Sequence, residues 1–327
     1  MGRLEVLRIA MELESSAMQL SQQLITKDRK EQAPEAVNLD LPEEIKEIEW
    51  RVARPLLKIL VYKCVLENRH EEIVDVVSEY SELMARSCSV ADQVMYQVFY
   101  ANGLMYRSDY LGASSFYKDA RDKSAVGCDN YNNVALYLAQ SQIHAKMAGE
   151  ARSSLAALDG SNPQGENFEF AFRLRFTLAA IDFMESNFPE CQAKLLYNSK
   201  LYQKSLEYRA SNQLLLAMTY LELQFLDRID HLLDSMRKLS YKLEGRLGSQ
   251  VRIIRAIVIS FMDFNLVATK HADDLALLRS GEGEYFWDPL GYEIIRFDEW
   301  FDRKVAEQNK KGRRRNSVKR RLKVSGA

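Results

Sequence analysis

The sequence predicts an all-α protein, an α-solenoid of antiparallel helical hairpins, and three observations carry that expectation. Apolar residues recur at helical spacing through most of the chain. The 327 residues include only 6 prolines and 14 glycines, and runs of alternating apolar residues are few. A helix-turn-helix unit also returns at a nearly constant interval, as expected for stacked repeats that each bury a face against the next.

The stretch from Met95 to Lys123 reads as one complete unit. Val98, Ala101, Leu104 and Met105 mark a first helix, Ser108-Asp109 interrupts it, and Tyr110, Ala113, Tyr117 and Ala120 mark a second. Two amphipathic helices joined by a short polar turn pack antiparallel. Alanines at the crossing let the axes approach while the tyrosines fill the space beside them. With Ala120 as reference, equivalent positions fall at Tyr80, Leu158, Asn198 and Met236, spaced 40, 38, 40 and 38 residues apart. Apolar or small residues precede them at one-turn intervals: Ile73 and Val77, Ala151 and Leu155, Cys191 and Leu195, Ile229 and Leu233. Five units span residues 43–248.

The run Asp109, Tyr110, Ala113, Tyr117, Ala120 resembles the second half of a tetratricopeptide repeat. The first half departs from that pattern, with Ala101 where the family has glycine and Leu104 where it has an aromatic residue. The interval of 38–40 residues also exceeds the consensus 34, so the likeness is to the superfamily's divergent helical hairpin. The resemblance implies a right-handed superhelix whose first helices line a concave, partner-binding face. Candidate groove residues are then Asn102, Met105, Tyr106, Gln140, Phe176, Phe183 and Glu222. Some members of the family grip a C-terminal carboxylate. Asn102 and Asn133 match the asparagines of that clamp, whereas Val98 stands where its first lysine belongs. The methionine and aromatic content favours an apolar peptide or helix in the groove.

In chain order, residues 1–42 are expected to hold an amphipathic helix, with Leu4, Leu7, Met11, Leu13, Met18, Leu20 and Leu24, and a polar linker bounded by Pro34 and Pro42. Glu5, Glu12 and Glu14 argue against a secretory signal, and no run approaches the roughly 20 apolar residues of a membrane span. Pro55 is expected to kink the next helix or to begin a new one. Residues 159–167, with Gly160, Pro163 and Gly165, form the clearest internal turn. Residues 249–309 are expected to supply a sixth hairpin, with Leu266 to Leu278 as its second helix, and then an aromatic segment. Seven aromatics lie between Tyr285 and Phe301, which reads as a cap over the last repeat or as a patch for a partner.

The last 18 residues hold nine Lys or Arg and no acid, against a whole-chain charge of −1, so the other 309 carry −10. A segment so charged is expected to be disordered and to meet an anionic surface. Lys310, Lys311, Arg313, Arg314, Arg315, Lys319, Arg320, Arg321 and Lys323 would make that contact, with nucleic acid phosphates, acidic headgroups or the chain's own acidic body. In a eukaryotic source the two basic clusters would resemble a nuclear import signal, and Arg314-Arg315-Asn316-Ser317 a kinase site.

Catalytic signatures are missing: there is no GxxxxGK[ST], GxGxxG after a strand, GxSxG or HExxH. His70, His144, His231 and His271 lack metal-ligand spacing, and the cluster of His271, Asp273 and Asp274 reads as solvated helix surface. Cys64, Cys88, Cys128 and Cys191 are dispersed and read as small hydrophobes in a reducing compartment. The expected function is a non-catalytic, cytoplasmic scaffold or adaptor without metal or cofactor, binding a protein segment in the groove. The alternatives are a nucleic-acid-associated adaptor acting through the tail and a peptide sensor.

Overall fold

The computed structural model describes residues 43–66, 69–87, 89–125, 128–159, 168–200, 206–240, 246–280 and 294–324. Every regular element among them is helical. The amphipathic N-terminal segment, the turn at residues 160–167 and the aromatics Tyr285, Phe286, Trp287 and Tyr292 lie outside the described residues. By its internal contacts the chain divides into two compact units, Met1–Ser141 and Gln142–Ala327. The division falls inside a helix of the stretch expected to form five hairpins.

The first unit contains α1 (Glu43–Leu66), a 3-10 turn (His70–Glu72), α2 (Ile73–Glu79), α3 (Ser81–Ser87), α4 (Val90–Tyr106), α5 (Tyr110–Lys123) and most of α6 (Asp129–His144). Pro55 starts no new helix: α1 runs through it. Leu57, Val61 and Cys64 form its buried stripe, one residue per helical turn. The second helix of the first repeat is not continuous, because Tyr80 leaves helical geometry at φ −94° and ψ 1° and separates α2 from α3. α4 packs between α2 and α5, and at Gly103 it lies directly against α2. A Cβ on that glycine would lie 2.8 Å from Val74 Cγ2 and 2.9 Å from the Val74 backbone nitrogen. Gly103 is therefore the residue that admits the neighbouring backbone.

The second unit contains α7 (Ala148–Asp159), α8 (Phe168–Met184), α9 (Phe188–Lys200), α10 (Leu206–Glu222), α11 (Leu226–Ser240), α12 (Arg246–Ile259), α13 (Phe264–Lys270), α14 (Ala272–Arg279) and α15 (Phe297–Val324). Consecutive helices from α7 to α12 pack on one another. α8 buries nearly every residue from Phe172 to Phe183, and α10 every residue from Leu214 to Leu221. A helix buried all round is enclosed on several sides rather than on one.

The repeat is visible in the turns. Ser108, Lys146, Ser186, Gln224 and Phe261 all have left-handed φ, between 51° and 64°, at intervals of 38, 40, 38 and 37 residues. In each turn the next amide donates to the carbonyl five residues back: Asp109 to Leu104 at 2.9 Å, Met147 to Gln142 at 2.8 Å, Asn187 to Asp182 at 2.8 Å, Phe225 to Tyr220 at 2.9 Å and Met262 to Ile257 at 2.7 Å. This is the Schellman closure of a helix C-terminus, here made without glycine. Five residues beyond the left-handed residue of the first four turns begins the buried second-helix stripe: Ala113, Tyr117, Ala120; Ala151, Leu155, Leu158; Cys191, Leu195, Asn198; Ile229, Leu233, Met236.

The expected sixth hairpin departs from this frame. Its turn is one residue longer and Met262 is left-handed as well, so the equivalent positions, counted from Met262, are Val267, His271 and Asp274, of which only Val267 is buried and apolar. The helix breaks at His271, dividing the expected Leu266–Leu278 helix into α13 and α14. Asp274 accepts hydrogen bonds from Ser249 Oγ and Arg252 Nε at 3.0 Å and lies 3.0 Å from His271 Nδ1. Rather than a solvated surface acid, Asp274 ties α12 to α14. Burial alone would raise its pKa, but those hydrogen bonds and the Arg252 charge outweigh it and hold the carboxyl down at about 2.

α15 closes the second unit. Phe297, Trp300 and Phe301 are buried, with Phe264 5.9 Å from Trp300 and 5.7 Å from Phe301. The same helix continues to Val324, where the sequence led us to expect a disordered tail. Residues 310–324 contain no proline, and adding residues to an anchored helix is far cheaper than nucleating one. Lys and Arg are good helix formers and suit the negative C-terminal end of the helix dipole, as Asp298 and Glu299 suit its first turn.

Candidate functional site

Burial separates the seven expected groove residues into core and surface. Asn102, Met105, Gln140, Phe176 and Phe183 are buried, so these five offer no surface to a partner. Asn102 accepts the hydroxyl hydrogen bond of Tyr117, tying α4 to α5 inside the first unit. Gln140 has neither amide atom hydrogen-bonded among the described residues. Phe176 stacks on Phe172 at 6.0 Å, and Phe183 meets Phe188 edge-on at 5.4 Å. First helices are thus held between neighbours, and an apolar stripe on them signals packing as readily as a groove.

Glu222 is less enclosed but already occupied. Its carboxylate accepts Trp300 Nε1 at 2.8 Å and Lys304 Nζ at 2.5 Å, with Arg303 at 3.5 Å. It clamps α15 onto the C-terminus of α10, a role that the linear spacing of acidic residues does not reveal.

Tyr106 lines an open cavity. With Glu71, Glu72, Asp75, Arg107 and Ser108 it bounds a cleft of 540 Å³ in the first unit. The left-handed turn at Ser108 ends α4 at one wall, and the 3-10 turn with the start of α2 forms the other. Arg107 joins them, donating from Nε to the Glu71 carbonyl at 2.8 Å and from Nη2 to Asp75 at 2.6 Å. Tyr106 stacks on the His70 ring with centroids 4.2 Å apart and planes within 8°. Burial lowers the His70 pKa, which keeps the imidazole neutral near pH 7 beneath that tyrosine. At the rim, Arg69 Nε donates to Glu72 Oε1 at 2.7 Å, and this hydrogen bond leads the causes that lower the Glu72 pKa. Asp75 is paired with Arg107 and Glu72 with Arg69, so the three lining carboxylates and these two guanidiniums leave a formal charge of −1 at the cleft. Sequence inspection missed the three acids because they belong to the preceding repeat and meet Tyr106 only through packing.

Of the basic C-terminal residues, Lys310 and Lys311 are exposed on α15. Arg313, Arg314, Arg315, Lys319, Arg320, Arg321 and Lys323 lie on its helical backbone, and their side chains are outside the described residues. Cys64 and Cys191 are buried. Burial pushes the Cys191 thiol up to about 12, with Thr219 Oγ1 at 3.3 Å, so it stays protonated and packs as a small apolar group. Among the described residues no group of three or more His, Cys, Asp and Glu side chains is placed to hold a metal, and no helix is long and apolar enough to cross a membrane. Compared with known proteins, the chain matches no protein-family model and no curated protein.

Proposed function

We propose that the chain is an interaction scaffold of tetratricopeptide-like hairpins stacked as a solenoid, and that the cleft beside Tyr106 receives an extended partner segment carrying Lys or Arg. The observation that supports it is the five-fold recurrence of one turn geometry with a buried stripe set five residues beyond it in four cases. Repetition of a packing unit with different exposed residues is how solenoids generate long binding surfaces without catalytic machinery. The buried first-helix residues have no part in this role. Recognition falls to the cleft, where Tyr106 supplies an aromatic wall and the excess of carboxylates (Glu71, Glu72, Asp75) over guanidiniums (Arg69, Arg107) supplies negative charge.

The test is an array of short synthetic peptides that vary independently in net charge and aromatic content, probed with the full chain and with Glu71→Lys and Tyr106→Ala. Retention should rise with peptide positive charge at low salt. Glu71→Lys should weaken it about fivefold, the upper end for one exposed ion pair. Retention indifferent to both substitutions would remove the cleft from the proposal.

A further inference from the structure

We propose that the turn between α12 and α13, together with the basic half of α15, forms a docking face for an anionic lipid bilayer. The inference is independent of the cleft and concerns only the second unit.

The turn differs from its counterparts in the one place where they agree. Polar residues, Ser108, Lys146, Ser186 and Gln224, occupy the left-handed position in the other four turns, whereas the fifth carries Phe261. That turn is also a residue longer and places Met262 at φ 66° as well. Left-handed backbone is disfavoured for bulky side chains, and strain of this kind collects at functional positions. The conformation holds Phe261 88% exposed, with Ile259 at 66% and Leu266 at 42% on either side. Three large apolar side chains at one helix-helix corner, one of them at backbone cost, gain nothing from water.

The basic helix starts at the same corner. Gln308 of α15 donates from Nε2 to the Met262 carbonyl at 2.6 Å, and its Oε1 accepts the Phe264 amide at 3.1 Å. Beyond Gln308 the helix continues to Val324, about 24 Å at the usual rise, and this stretch carries nine Lys or Arg and no acid. The one acid of the turn, Asp263, has a carboxylate oxygen accepting the Leu266 amide at 3.0 Å as the N-cap of α13.

An apolar wedge beside a cationic helix matches the two parts of an acidic bilayer surface: acyl chains for Phe261, Ile259 and Leu266, and headgroup charge for the lysines and arginines. Either part alone gives weak, reversible adsorption, and stable attachment takes both. Nucleic acid would use the cations and could stack a base on Phe261, but it offers no apolar medium for Ile259 and Leu266. The aliphatic pair selects the lipid surface.

Co-sedimentation of the full chain with phosphatidylcholine vesicles, with and without a minority of phosphatidylserine, tests this, alongside binding to duplex DNA and single-stranded RNA. The expected result is binding that requires phosphatidylserine and drops about tenfold for Phe261→Ser and at least as much for Lys310→Glu with Lys311→Glu. The Phe261→Ser protein should melt no lower than the parent, since serine occupies the same position in two other turns, so a loss of binding cannot be ascribed to unfolding. No binding to phosphatidylserine vesicles overturns the proposal. So does vesicle binding that Phe261→Ser leaves unchanged, and so does tighter, salt-sensitive binding to DNA or RNA, which would assign the basic helix to nucleic acid.

Discussion

At the scale of the residue, Gly103 and His144 carry consequences that measurement can reach. A methyl group at Gly103 would meet the Val74 side chain at 2.8 Å and its backbone nitrogen at 2.9 Å. Overpacking of this kind costs about 1–3 kcal/mol, and better helix propensity returns about 1 kcal/mol. Gly103→Ala should therefore lower stability by roughly 1 kcal/mol in urea unfolding, and Val74→Ala in the same chain should recover part of the loss. The His144 Nε2 is buried. Burial first, and the Arg296 charge second, lower its pKa to about 4. In the unfolded chain the group titrates near 6.5, so between pH 6.5 and 4 the unfolded state takes up a proton that the folded state refuses. The second unit should lose stability as pH falls through that window, by up to about 3 kcal/mol, with no contribution from His144 above it. Urea titrations across the window should show the slope, and His144→Gln should flatten it.

At the scale of the element, α15 is held by Phe297, Trp300 and Phe301 in the core, by the Glu222 clamp, and by Gln308 at the turn before α13. Glu222→Ala leaves the Trp300 N–H without its acceptor and the Lys304 ammonium with only the longer contact to Glu307 at 3.4 Å. Loss of such a partner costs about 2 kcal/mol. Amide exchange in the first turns of α15 should quicken by one to two decades, while exchange in α8 should stay as it was. The second-helix stripes were legible beforehand because period alone places Ala113, Tyr117 and Ala120, and their counterparts, on one face. First helices were not legible in the same way. Phe176 and Phe183 look alike in sequence whether they face a groove or a neighbouring helix, and only the presence of packed neighbours tells the two apart.

For the whole molecule, the division at Ser141 and Gln142 predicts two unfolding transitions in calorimetry rather than one. Gly103→Ala should move the transition of the first unit and Glu222→Ala that of the second. A single transition shifted by both would mean that the repeats propagate cooperativity across α6, as nearest-neighbour coupling in a stacked array allows.

Helix content, the interval of 38–40 residues and the buried stripe of the second helix in four of the hairpins follow from residue order, because they depend on contacts within a turn or a hairpin. The cleft beside Tyr106, the Glu222 clamp and the Asp274 tie depend on side chains 22–82 positions apart, and local periodicity holds no information about which of them meet. Phe261 lies between the two cases. Its place in the repeat can be counted along the chain, but its exposure is set by the longer left-handed turn and by the fastening of α15 through Gln308.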